Sequence, residues 1–283
     1  MNENKDLAGR SFLITGANTG IGRVTALELA KRGGTLTLAG RSEERTRPVL
    51  EAIAALGGTA SFLPLDLGDL GSTARAAKSF LDGGARLDVL VNNAGIAGDK
   101  GLTKDGFEAA FGTNHLGPFL FTNLLLPRLR EGSKARIVNV ASGAHYRVKS
   151  FDWDTLRQPA RSLSGFDEYC LSKLCNVLVT KELARGRAGA GVHSYSLHPG
   201  AVATDIWRTF PWPVRAILNL LLISSEEGAQ TSIHCAASPD VADDDGLYYE
   251  KCRVKEPARL ARDAALAKKL WEASEEMVAP FMK

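Results

Sequence analysis

Tyr169 and Lys173 stand four residues apart in EYCLSK, at the start of a strongly helical segment, so both side chains point along one helix face. A phenol ordinarily titrates near 10, too high for efficient proton exchange at neutral pH. A neighbouring ammonium favours the phenolate. Bringing the phenol close to neutrality takes about 4 kcal/mol of differential stabilisation, which that ammonium and a second, bound cation in a partly desolvated site could supply. A Tyr/Lys pair at this spacing is common by chance, and a surface pair is the plainer reading. Its company argues otherwise. Ser142 directly follows an apolar run and offers a hydroxyl to a substrate oxygen. Asn114 lies inside a long helical segment, where an amide slightly disfavours helix. His198-Pro199-Gly200, with Val202 and Thr204, forms a rigid turn after another apolar run.

A second set of residues suits a phosphate. In TGANTGIG, glycines 16, 20 and 22 surround Ala17, Asn18 and Thr19 and lead into Ile21, between a strand-like run and a helical one. Glycines there allow a sharp turn and let a pyrophosphate approach the backbone and helix N-terminus. The spacing is GxxxGxG rather than GxGxxG. It is the strand–turn–helix context that carries the dinucleotide reading. At the end of the second strand, where a carboxylate would hold a ribose 2′-hydroxyl, the chain reads Ala39-Gly40-Arg41-Ser42. Arg41 presents a fork of donors suited to a 2′-phosphate, so NADP(H) is favoured over NAD(H). The plainer alternative leaves Arg41 in solvent. Asp66, with Leu67 after it, ends the third strand and could meet the adenine or cap the next helix. Asn92-Asn93-Ala94-Gly95 closes the fourth strand with small residues that permit close cofactor contact, or that merely mark a turn.

The elements that must position these groups alternate. Strands are expected at 11–15, 35–39, 60–65, 87–92, 136–141 and 192–197, and helices at 21–32, 43–56, 70–81, 107–129, 169–187 and 226–237. A further helix is expected near 257–277. Most strand runs are continuously apolar, as befits a sheet covered on both faces. The expected architecture is one α/β domain over 1–283, a doubly wound parallel Rossmann-type sheet of about seven strands with helices on both faces.

Composition narrows the class. The chain has 283 residues, 45% hydrophobic and 24% charged, with a net charge of +3 and no long basic run, so no nucleic acid partner is expected. Four cysteines, Cys170, Cys175, Cys235 and Cys252, lack metal-site spacing, and no metal is expected. Residues 1–9 are polar and the longest apolar stretch, 216–223, is short. No signal peptide or transmembrane segment is therefore expected, and a reduced cytoplasmic location is the simplest account.

Taken together, TGANTGIG, NNAG, Asn114, Ser142, YCLSK and HPGAVAT resemble the short-chain dehydrogenase/reductase family over residues 10 to about 250. The 27-residue separation of Tyr169 from Ser142, with EYCLSKLCNVLVTKELAR, LHPGAVATDIWR, EEGAQTSIHCA and LAKKLWEAS, is similar to the branch of retinol dehydrogenases and WW-domain oxidoreductases. The resemblance implies hydride transfer between a nicotinamide and a carbonyl or alcohol carbon, with Tyr169 as general acid/base. Lys173 would orient the nicotinamide ribose and lower the phenol pKa, Ser142 would steady the substrate, and Asn114 would hold a water linked to the lysine. Gly16, Asn18, Ile21, Arg41, Asp66, Leu67 and Asn93 would line the cofactor. A homodimer or homotetramer is implied as well.

The segment 205–225, with Trp207, Phe210 and Trp212, follows a strand C-terminus. It reads as an apolar lid over a lipophilic small molecule, as a subunit contact, or as a peripheral membrane patch. Two rival functions are a non-catalytic NADP-binding sensor or scaffold and, among enzymes, a protochlorophyllide reductase-like activity. Retention of both Tyr169 and Lys173 argues against the first, and nothing outside the shared motifs points to a tetrapyrrole.

Overall fold

Side-chain alternation along the strands decides the layering. In β1 (Ser11–Thr15), Phe12 and Ile14 enter one core cluster and Leu13 the other. In β4 (Val89–Asn92), Val89 and Val91 join Phe12, while Leu90 joins Leu13. Every residue of β4 and of β5 (Ala135–Val140) is buried, so both faces of the sheet need helices over them.

The computed structural model describes residues 5–132, 134–200 and 224–282. The remaining strands are β2 (Thr35–Gly40), β3 (Thr59–Pro64), β6 (Val192–His198), β7 (Leu247–Glu250) and β8 (Arg253–Val254). They make one sheet in the order β3-β2-β1-β4-β5-β6-β7-β8, parallel throughout except for the antiparallel β7–β8 hairpin at the edge. Helices α1 (Gly20–Lys31) and α2 (Glu43–Ala55) help cover the Phe12 face. The opposite face is covered by α3 (Leu70–Asp82), α4 (Gly117–Arg130) and α5 (Phe166–Glu182). Then α6 (Ser225–Ala237) joins the first group and α7 (Ala264–Val278) the second, with Trp271 edge-on to Phe119 at 4.8 Å.

This is the α/β Rossmann-type arrangement expected from the alternating pattern, with one strand more. The additional strand has two residues, too few to leave a periodic signal. Three helices also differ from expectation. The segment expected as helix from 107 starts at Ala109, where the Glu108 carboxylate accepts from the amides of Ala110 and Phe111. It then passes through a π-helical turn, Gly112–Leu116, before α4. Helix α5 begins at Phe166, a turn before Tyr169, because Gly165 takes a left-handed φ of +67° at its N-cap. The C-terminal helix starts at Ala264 rather than near 257, since Asp263 caps it through the amides of Ala265 and Leu266.

A buried polar chain ties four elements together beneath the strand ends. Asn92 Nδ2 donates to Thr122 Oγ1 and to Asn139 Oδ1, and Asn139 Nδ2 donates to Thr180 Oγ1. These bonds link α4, β4, β5 and α5 at 2.9–3.0 Å in an interior where an unpaired amide would be costly.

Candidate active site

The strand order reverses between β1 and β4, which opens a crevice at their C-terminal ends. Gly16 turns there with φ +68°, and a Cβ on it would lie 2.9 Å from the Cα of Ala94. A Cβ on Gly22 would lie 2.5 Å from both the Gly16 carbonyl and Asn93 Nδ2. Asn93 laces the two loops, donating from Nδ2 to the carbonyls of Thr15 and Gly16 at 2.9 and 3.1 Å. The buried Thr15 hydroxyl accepts from the amides of Asn93 and Ala94, each at 3.0 Å.

Helix α1 starts from this loop with Thr19 at its N-cap, no side-chain cap hydrogen bond and no acidic residue in its first turn. By contrast α2, α3, α6 and α7 are capped by Ser42, Asp69, Ser224 and Asp263. The first turn of α1 thus has no side-chain acceptor at its N-cap, and it follows directly on the Gly16 turn that packs against Ala94. A pyrophosphate fits such a cradle by charge and by the space the missing Cβ atoms leave.

Farther along the same edge, β2 ends at Gly40 and Arg41 is exposed, while Ser42 accepts from the Arg45 amide to cap α2. Half-buried Asp66 accepts from the Gly68 amide at 3.0 Å. Capping of α3 falls to Asp69 instead, through the Ser72 amide at 2.8 Å. Buried Leu67 follows Asp66, its backbone packed close to Gly117. Arg41 and Asp66 thus follow the C-terminal ends of β2 and β3, on one side of the point where the strand order reverses.

The other side holds Tyr169 and Lys173, both buried on α5. Lys173 Nζ donates to the Val140 carbonyl at 2.8 Å and lies 5.7 Å from the centroid of the Tyr169 ring. Burial pushes the phenol up to about 12, against the pull of its hydrogen bond with Ser142. Burial also pushes the lysine down to about 8. In this arrangement desolvation outweighs the Ser142 hydrogen bond, and the Lys173 ammonium is committed to the Val140 carbonyl at the end of β5. Ser142 follows β5 and Ala141, and its Oγ accepts from the Ala144 amide at 3.1 Å as it begins a 3-10 turn, Gly143–Arg147.

Asn114 sits in the π-helical turn, where the hydrogen-bond register lengthens from i+4 to i+5. Its Nδ2 donates to the Ile96 carbonyl and to Ser172 Oγ, each at 2.9 Å, and its Oδ1 accepts from the Ile96 amide at 2.8 Å. A Cβ on Gly95 would lie 3.2 Å from Asn114 Oδ1 and 3.3 Å from Lys173 Nζ. Gly95, Asn114 and Lys173 therefore meet at one point. Pro199 and Gly200 follow β6, with the His198 ring against Gly143. Val202, Thr204 and almost all of the 205–225 segment lie outside the described residues.

Comparison with known proteins agrees with this geometry. Residues 10–153 match the short chain dehydrogenase family. The chain belongs to the short-chain dehydrogenase/reductase family. Within this family it falls in the retinol dehydrogenase branch. It is 40% identical over 282 residues to dehydrogenase/reductase SDR family member 13 of Bos taurus, covering 96% of this chain and 74% of that protein. To retinol dehydrogenase 13 of Homo sapiens it is 39% identical over 283 residues, covering 96% and 85%. A solved structure of an uncharacterized protein from Mycobacterium paratuberculosis superposes with a TM-score of 0.78 at 34% identity, covering 96% of this chain and 94% of that one. Another, described as an NAD(P)-dependent gluconate 5-dehydrogenase from Beutenbergia cavernae with NADP at low occupancy, has a TM-score of 0.69 at 27% identity, covering 88% and 97%. Family membership makes the protein an oxidoreductase of hydride-transfer type acting on a small molecule at a CH–OH carbon. Among the described residues, no helix is long and apolar enough to cross a membrane.

The sequence reading of this short-chain dehydrogenase/reductase overlooked Thr15, although it begins the glycine motif and its hydroxyl joins both loops. It also overlooked Ser172, a small polar residue between Tyr169 and Lys173 that serves Asn114. Ile96 could not have been found from residue type, because only its backbone takes part.

Proposed function

We propose that the protein is an NADP(H)-dependent reductase of lipophilic carbonyl compounds, able to run the reverse alcohol oxidation, with Tyr169 as general acid/base. The observation that carries this reading is the meeting of Tyr169, Ser142, Lys173 and Asn114 beside a glycine cradle that opens on an uncapped helix. When bound, the cofactor supplies the hydride that the substrate carbon accepts. A phenol held at about 12 is protonated at pH 7, the state a proton donor needs. Its proton goes to the carbonyl oxygen as the hydride reaches the carbon, leaving a phenolate. Lys173, largely an ammonium at pH 7 with its pKa near 8, then favours that phenolate electrostatically.

Ser142 would orient the substrate oxygen. Asn114, held from both sides by Ile96, would fix the floor beneath Lys173 and anchor a water linked to it. Pro199, Gly200, Val202 and Thr204 would border the nicotinamide. Arg41 favours the 2′-phosphate of NADP(H), since no carboxylate stands at the end of β2 to hold a free 2′-hydroxyl. Support for a lipophilic substrate comes from the apolar composition of 205–225 and from the retinol in the names of several relatives. Assembly as a homodimer or homotetramer is proposed from family likeness.

The test supplies NADPH with apolar aldehydes and ketones of graded length and follows nucleotide absorbance. Consumption of NADPH that strengthens with chain length supports the proposal. Binding of NADPH with a change of oligomeric state and no reduction of any carbonyl would replace it with a nucleotide-sensing role.

A further inference from the structure

The turn that presents Ser142 is fastened from behind by a histidine absent from the proposed chemistry. His145 is fully buried, three residues after Ser142. Its Nδ1 lies 2.6 Å from the Ser142 carbonyl oxygen, and its Nε2 lies 3.1 Å from the amide nitrogen of Ala258. A carbonyl can only accept and an amide N–H can only donate. The ring is therefore neutral, with its proton on Nδ1 and a lone pair on Nε2.

The surroundings hold it so. Tyr146 and Tyr248 flank the ring at 4.1 and 4.9 Å between centroids. Tyr146 Oη donates to the Glu256 carbonyl, so adjacent side chains of the 3-10 turn grip the chain at 256 and 258. The groups facing this cluster are His198, Lys255 and Glu250, the last two paired with each other. Burial pushes His145 down to about 4, in keeping with a neutral ring at pH 7.

We infer that His145 is a positioning residue for Ser142, holding the serine's backbone carbonyl against the segment after β8 so that its hydroxyl meets the Tyr169 phenol. The inference rests on the role proposed for Ser142 above. That role gives it a distinctive readout. The Ser142 hydrogen bond lowers the phenol pKa, so loosening Ser142 raises the pH at which the phenolate forms. In alcohol oxidation the phenolate is the base, and the rising limb of kcat/KM against pH then moves upward.

The experiment uses the full-length protein with NADP+ and whichever alcohol is the product of the best carbonyl substrate, and compares Ser142→Ala, His145→Phe, His145→Asn and the Ser142→Ala/His145→Phe double variant. In asparagine the amide nitrogen stands near the place of Nδ1 and keeps a donor for the Ser142 carbonyl, while phenylalanine keeps only the ring. Ser142→Ala is expected to move the limb up. His145→Phe moves it the same way and lowers kcat about tenfold, with NADP+ affinity within about twofold. His145→Asn returns most of both effects, and the double variant is no worse than Ser142→Ala. An unmoved limb in His145→Phe, equal damage from Phe and Asn, or full additivity with Ser142→Ala overturns the inference and leaves the proposed function standing. An unmoved limb in Ser142→Ala overturns both. If His145→Phe does not fold, His145→Gln takes its place. The longer glutamine brings its carboxamide to the place of Nε2, where its oxygen accepts from Ala258, and puts no donor at the place of Nδ1. Activity equal to that of His145→Asn would then refute the inference.

Discussion

Replacing Lys173 by methionine is expected to stabilise the protein at neutral pH while abolishing turnover. The ammonium is buried and donates to the Val140 carbonyl at 2.8 Å. Holding it at about 8 instead of its ordinary 10.5 corresponds to about 3 kcal/mol of folding free energy forgone at pH 7. Methionine fills similar volume without charge, but leaves the Val140 carbonyl without that donor, which costs about 1–2 kcal/mol. The net gain is about 1–2 kcal/mol. The sign follows from a folded-state pKa below the unfolded one. The unfolded chain binds this proton more readily between pH 8 and 10.5, so the penalty is complete below 8 and shrinks as pH rises. It is gone above 10.5. Urea unfolding of both proteins without nucleotide, at pH 7 and near pH 11, reads the difference. The methionine variant should be the more stable at pH 7 and the less stable near pH 11, where only the lost hydrogen bond remains. Equal destabilisation at both values would refute the claim that a desolvated charge sits under the site.

Three further outcomes follow from the cradle and the edge. Arg41→Ala should weaken NADPH binding far more than NADH binding, by at least tenfold in the ratio of dissociation constants measured by fluorescence titration; equal losses would remove the case for a 2′-phosphate contact. Gly22→Ala should lower stability by about 1–3 kcal/mol and suppress nucleotide binding, because its Cβ would press on the Gly16 carbonyl and Asn93 at 2.5 Å; differential scanning calorimetry with and without NADPH reads both. Lys251 and Cys252 turn the β7–β8 hairpin with φ of +52° and +58°, so Lys251→Gly should raise the unfolding free energy by about 0.5–1 kcal/mol, and a loss of stability in urea would contradict that.

What was legible in the sequence is what local spacing encodes. Tyr169 and Lys173 share a helix face because four residues make a helical turn, and Gly16 and Gly22 sit where a strand meets a helix. The layering followed from the apolar runs of β4 and β5. What escaped is set by contacts between distant segments. Asn93 was noticed as part of a permissive turn, yet its amide fastens the glycine loop across 77 residues. The grip of Ile96 on Asn114 is made by backbone atoms, which any residue would provide. The same holds for the N-terminus of α5, which a left-handed Gly165 moved one turn earlier, and for the π-helical turn, which forms inside a pattern that reads as ordinary helix. The burial of Tyr169, which pushes its phenol up, escaped for a related reason: the neighbouring lysine is visible in the sequence, whereas the packing around the ring is not.

In carbonyl reduction the proton is proposed to come from the Tyr169 phenol. Rapid mixing of Tyr169→Phe, already saturated with NADPH, with the best carbonyl substrate tests it in a single turnover. NADPH affinity should be undiminished and the hydride-transfer rate lower by about 10²–10⁴-fold. A variant that reduces the carbonyl at the rate of the parent protein would contradict it.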